Sequence, residues 1–165
     1  MKKGIILFAG VFFLVFFCSF LGNKISSKRK IAYQICNEIA KKYSSKYGLI
    51  LVGISEAGKN GSYDSLGMEF NCSRILSKEE GRAMLYECSQ DLLNEVNQSK
   101  SLKKYLAKHP FTEDDIDVSI FVQPKNFTAY HPNIGVFSFY NDKFRYTTYT
   151  VDSGKKGKSF NEEKE

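Results

Sequence analysis

The chain has 165 residues, 42% of them hydrophobic and 15% aromatic, with Tyr and Phe abundant and Trp absent. That excludes a disordered polypeptide and suits one compact domain plus a short additional segment. The formal net charge of +6 resembles that of a nucleic-acid binder, yet Lys2, Lys3, Lys24, Lys28, Arg29 and Lys30 are the only charged residues among the first thirty, and from Ile31 onward 18 bases face 18 acids. The excess therefore flanks the N-terminal segment, and the expectation is a lipid surface and no nucleic acid.

From Ile5 to Leu21 no residue is charged, and thirteen of the seventeen positions are Ile, Leu, Phe or Val. Extended over residues 4–22, a helix rising about 1.5 Å per residue reaches roughly 28 Å, the thickness of a hydrocarbon core. At about 0.3 to 0.6 kcal/mol per apolar residue, insertion is favoured by up to roughly 4 to 8 kcal/mol with no charge opposing it. The segment also lacks the polar stripe of a soluble amphipathic helix. Residues 1–22 are read as a transmembrane helix and signal anchor.

A cleaved signal peptide and a lipoprotein signal begin in the same way. Cleavage needs small residues just before the cut, where the segment instead offers Phe16, Phe17, Phe20 and Leu21, with Ile25 and Ser27 the least poor alternative. Cys18 is a lipidation candidate, but the bulky Phe17 precedes it. The uncleaved anchor is the preferred reading. Four bases follow the segment against two before it, which favours a cytoplasmic domain. A tail of three residues ahead of the segment is nonetheless the usual form of an export signal that stays in place, so the domain is expected outside the cytoplasm, held by a single pass.

After a basic juxtamembrane hinge at 23–30, an α+β domain is expected over 31–151 in the order α-β-β-α-β-β-β: a mainly antiparallel sheet of about five strands covered by two or three helices. Ile31, Ile35, Ile39 and Tyr43 recur every four residues, so the first helix is amphipathic; Ser26 or Ser27 is placed to cap it and Gly48 to end it. Residues 49–55 and 63–72 read as an antiparallel pair joined through Gly58, Asn60 and Gly61. Ser77 with Glu80 has the form of a capping box opening a helix to about Gln98, with Met84, Leu85, Cys88, Leu92 and Val96 along one side. A shorter helix is expected over 101–108, closed by Pro110.

Ile116, Val118, Ile120 and Val122 alternate with Asp117, Ser119, Phe121 and Gln123, which gives a strand with one buried face. Strands over 136–140 and 144–151 form a hairpin through Asn141, Asp142 and Lys143. Residues 152–165 have few apolar positions and read as a disordered tail.

No catalytic, cofactor-binding or metal-ligating residue is assigned. Gly157, Lys158 and Ser159 end like a phosphate-binding loop, but the earlier glycine that such a loop needs is Asp152 here. Cys18, Cys36, Cys72 and Cys88 lack close pairs, and core packing is expected of them, with a Cys72 to Cys88 disulfide possible only for an external domain. His109 and His131 lie far from other ligands, and no strand-to-helix elbow surrounds a nucleophile. Glu113, Asp114, Asp115 and Asp117 lack the interspersed pattern of a calcium loop and read as a solvated turn. Asn60, Asn71, Asn97 and Asn126 begin glycosylation patterns that matter only in a glycosylating compartment.

The loop 123–135 carries Phe127, Tyr130, His131, Pro124 and Pro132, many aromatics for a solvated connection. It is either a contact for a protein partner or a cap folded onto the sheet edge. The expected function is a non-enzymatic, single-pass interaction domain at the cell envelope; the alternative is a small-ligand binding or hydrolytic domain exported by a cleaved signal peptide.

Overall fold

The computed structural model describes residues 26–124, 132–149 and 156–163. The expected transmembrane helix lies outside these, and among the described residues no helix is long and apolar enough to cross a membrane.

Helix α1 spans Ser27–Tyr47. The Ser26 hydroxyl accepts from the Arg29 amide, and Gly48 ends the helix at φ 70°, its amide donating back to the Ser44 carbonyl at 3.0 Å. Ser27 to Lys30, expected within the hinge, thus form the first helical turn. Strands β1 (Ile50–Ala57) and β2 (Ser65–Cys72) pair antiparallel, turned by Asn60 and Gly61 at positive φ.

Helix α2 (Lys78–Gln98) starts where the Ser77 hydroxyl accepts from the Glu80 amide at 3.1 Å. The Glu80 carboxylate pairs with Arg74 on the preceding loop. Helix α3 is only Lys100–Lys103, shorter than the expected 101–108. The chain leaves helical geometry because Tyr63 competes for its backbone: the Tyr63 amide donates to the Tyr105 carbonyl at 2.7 Å, and the Ala107 amide to the Tyr63 carbonyl at 2.8 Å. A 3-10 turn, Glu113–Asp115, leads into β3 (Ile116–Val122), followed by the hairpin β4 (Val136–Tyr140) and β5 (Lys143–Tyr149), turned by Asn141 and Asp142 at positive φ.

The sheet is mixed, not purely antiparallel, with strands in chain order. β2 and β3 run parallel, Leu66 opposite Ile116 and Cys72 opposite Val122, because the connection between them crosses back over one face as α2 and α3. The stretch 152–165, expected as a disordered tail, supplies a sixth strand, β6 (Lys156–Glu163), antiparallel to β5. Backbone hydrogen bonding makes this strand where side-chain alternation gave no signal.

Both long helices lie on one face and run antiparallel to each other: Lys42 pairs with Asp91 and Lys46 with Glu87, while the Tyr43 hydroxyl donates to Asp91 at 3.0 Å. The core fills the space beneath them with Leu66, Met68, Phe70, Val118, Ile120, Phe137, Phe139, Phe144 and Tyr146. Each such side chain contributes roughly 1.5 to 3 kcal/mol on burial. Phe137 and Tyr146 meet edge to face at 5.7 Å. Gly81 lets α2 approach this layer, since a Cβ there would overlap the Phe137 ring.

Candidate functional site

The strand periodicity that buries one set of side chains points the other set away from the helices, and the register arranges them in rows. Ser55, Gly67, Asp117, Tyr140 and Lys143 lie side by side across β1 to β5. The next row is Gly53, Glu69, Ser119, Ser138 and Arg145. A third, Ile50, Asn71, Phe121, Val136 and Thr147, closes the face at the end where β3 and β4 join. This open face is apolar at one end and polar in its middle.

Two glycines give the acids their room. A Cβ at Gly53 would sit 2.6 Å from Glu69 Oε2, and one at Gly67 would press on the Ser55 hydroxyl and on Asp117. Both carboxylates are half-buried, and burial, reinforced by the charge of Glu69, raises the Asp117 carboxyl above its ordinary range. Beside them the Ser119 hydroxyl donates to that of Ser138 at 3.0 Å, and the Arg145 guanidinium lies 5.4 Å from the centre of the Tyr140 ring. Ile50 is 60% exposed and Tyr140 43% exposed. Chemically this is a surface that offers hydroxyls, an aromatic ring and two half-buried carboxyls.

The residues singled out from the sequence do not converge here. Of the acidic cluster, Asp117 alone belongs to the face; Asp115 is buried and accepts from the Thr112 amide at 2.7 Å and from Lys108, and Glu113 accepts from Gln90. Among the described residues no three of His, Cys, Asp and Glu are placed to hold a metal ion. The His109 ring meets the Asn97 carbonyl at 3.2 Å, and His131 lies outside the described residues. Gly157, Lys158 and Ser159 sit within β6, a strand and not a phosphate loop. The Asn97 side chain is used up on Phe111, accepting from its amide at 2.7 Å and donating to its carbonyl at 3.0 Å.

Cys36, Cys72 and Cys88 are free and buried, so the Cys72 to Cys88 disulfide is not formed. Burial raises the Cys36 thiol to about 12 and raises that of Cys88 as well, which leaves them poor nucleophiles at neutral pH. Of loop 123–135, residues 125–131 lie outside the described residues, but its roots are fixed: the Val122 amide donates to the Gly135 carbonyl, and the Gln123 amide to that of Cys72, each at 2.8 Å. They stand beside Phe121 and Val136, at the apolar end of the open face. Glu69, Ser138 and Arg145 escaped the sequence reading, although strand alternation opposite Met68, Phe70 and Phe139 marks them.

The start of α1 forms a second polar locus at the other end of the sheet. Arg29 Nε donates to Glu56 Oε1 at 2.9 Å, and Lys28 Nζ stands 4.4 Å from the centre of the Tyr63 ring. No protein-family model matches the sequence, and no curated protein or solved structure is significantly similar to it.

Proposed function

We propose that this chain is a single-pass, membrane-tethered interaction domain at the cell envelope, held by residues 4–22, with the domain outside the cytoplasm. The protein partner meets the open sheet face and the loop 123–135. What supports the reading above all is the one-sided sheet: helices cover one face, and the other presents Ile50, Phe121, Val136 and Tyr140 around a polar centre. Aromatic and aliphatic anchors amid polar groups are the usual make-up of a recognition surface. The loop is rooted at the end of the sheet away from the start of α1, so a tether entering at α1 leaves the loop and the apolar end of the face turned outward.

The test is site-specific photocrosslinking of the full chain in intact membranes, with the reactive group placed at Phe121 or, as control, at Gln34 on the outer side of α1. A protein adduct formed from position 121 and not from position 34 is expected. Equal labelling at both positions, or labelling at neither, overturns the reading.

One observation favours the alternative, a small-ligand domain exported by a cleaved signal: the raised Asp117 carboxyl beside Glu69 and the Ser119 to Ser138 pair. The intact mass of the purified protein separates the two, since loss of the N-terminal segment supports export and retention supports the anchor.

A further inference from the structure

Three segments far apart in sequence meet at one end of the domain. Because α1 and α2 are antiparallel, the start of α1 lies beside the end of α2 and hence beside α3. The Arg29 to Glu56 pair brings the end of β1 to the same place, and the backbone bonds between Tyr63 and the chain at Tyr105 and Ala107 bring the β1 to β2 turn against the segment after α3. Residues 26–30, 56–64 and 99–108 together hold eight bases against two acids. Five of these bases, Lys59, Lys100, Lys103, Lys104 and Lys108, belong to residues 31–165, which balance at 18 to 18, so the neutrality of that range conceals an uneven distribution.

Of the two acids in these segments Glu56 is engaged and Asp64 is exposed. Glu56 is paired to Arg29, while on the adjoining turn Asp115 is paired to Lys108 and Glu113 to Gln90. Lys30, Lys59, Lys103 and Lys104 are exposed, and Lys104 Nζ stands 5.0 Å from the centre of the half-buried Tyr105 ring. A lysine-flanked tyrosine of this kind suits a membrane interface, with the ring at head-group depth and the ammonium groups among the phosphates.

We propose that this end of the domain, presenting Lys28, Lys30, Lys59, Lys103, Lys104 and Tyr105, rests on the anionic head groups of the bilayer. The inference builds on the membrane-anchor reading, and chain length supports it. Only four residue steps separate Gly22 from Ser26, a reach of at most about 14 Å. Ser26 then opens a helix whose first turn is bound to the domain through Arg29 and Lys28. A tether this short, continuing into a docked helix, holds the basic end close to the lipid surface, where attraction between lysines and anionic lipids acts.

The test uses the full chain carrying Tyr105→Trp, a single fluorophore because the sequence has no other Trp. It is reconstituted into vesicles of phosphatidylcholine alone or mixed with phosphatidylglycerol, each doped with a head-group-quenching lipid. Resistance to alkaline extraction from the neutral vesicles reads the anchor, and quenching of position 105 reads the surface. Quenching in the anionic vesicles alone is expected, with loss at high salt and in the Lys59→Glu, Lys103→Glu, Lys104→Glu variant; the corresponding Gln variant should lose part of it. Equal quenching in both vesicle types, or quenching that survives the charge reversals, overturns the proposal. If the chain is extracted from neutral vesicles the anchor reading fails; the surface then stands if anionic vesicles still quench position 105 and falls if they do not. Binding of a labelled oligonucleotide by the detergent-solubilised chain, abolished by the same reversals, would assign the patch to nucleic acid and overturn the lipid reading.

Discussion

Arg29 and Glu56, 27 residues apart, meet at 2.9 Å and join the first turn of α1 to the end of β1. The Glu56 side chain is 13% exposed and that of Arg29 51% exposed, so the pair ties a solvated cation to a sheltered carboxylate. Partly exposed pairs of this kind add little to global stability, and their effect is local. Glu56→Gln is expected to leave the thermal midpoint nearly unchanged while amide exchange in residues 27–31 speeds up. Hydrogen exchange read by mass spectrometry checks this; unchanged protection of the first turn would mean that Lys28 on Tyr63 suffices to dock it.

Gly81 is where α2 comes closest to the sheet. Its missing side chain leaves the space occupied by the Phe137 ring, and the ring is fully buried. Gly81→Ala forces ring and helix apart, an overpacking expected to cost about 1 to 3 kcal/mol despite the better helix propensity of alanine. Urea unfolding measures the cost. Adding Phe137→Leu to Gly81→Ala should recover part of the loss, whereas Phe137→Leu alone destabilises, so the two changes are coupled rather than additive.

The buried thiols give a third expectation. Cys36 is buried on α1 and Cys88 on α2, and burial raises both thiols. Under native conditions a thiol reagent should leave Cys36, Cys72 and Cys88 unmodified over the time in which it consumes all of them in denaturant. Peptide mapping identifies the sites. Fast native labelling of Cys36 would show that α1 opens readily from the domain.

The two long helices were legible because Ile31, Ile35, Ile39 and Tyr43, and then Met84, Leu85, Cys88, Leu92 and Val96, carry the helical period in a continuous stretch. The alternation of Ile116 to Val122 similarly marked the side of β3 that bears Asp117, Ser119 and Phe121. The parallel pairing of β2 with β3 was not legible from local pattern, since it depends on α2 crossing the sheet. Nor was β6, whose pairing with β5 is made by backbone groups that every residue carries. The basic end was hidden for a third reason: Lys28, Lys59 and Lys104 come from separate segments, which are brought together by the fold and not by the order of the chain.

The pH dependence at the open face follows from the direction of the Asp117 shift. Burial, and secondarily the charge of Glu69, raises this carboxyl in the folded state. Between its unfolded and folded values the native state therefore binds more protons than the unfolded chain, and stability falls as pH rises through that window. Above the folded value the charged Asp117 is a standing cost; below the unfolded value the cost is gone. Glu80 and Glu87 work the other way, lowered by Arg74 and Lys46, so their contribution is present above the unfolded value and is lost as pH falls through the folded one. Asp117→Asn should accordingly stabilise the protein at pH near neutrality and confer no advantage in acid, as urea unfolding at the two pH values would register. If a partner brings a cation to this face, the same substitution weakens binding while it strengthens the fold. A variant that gains stability and keeps its crosslink from position 121 would place the contact on the apolar row of Ile50, Phe121 and Val136 instead.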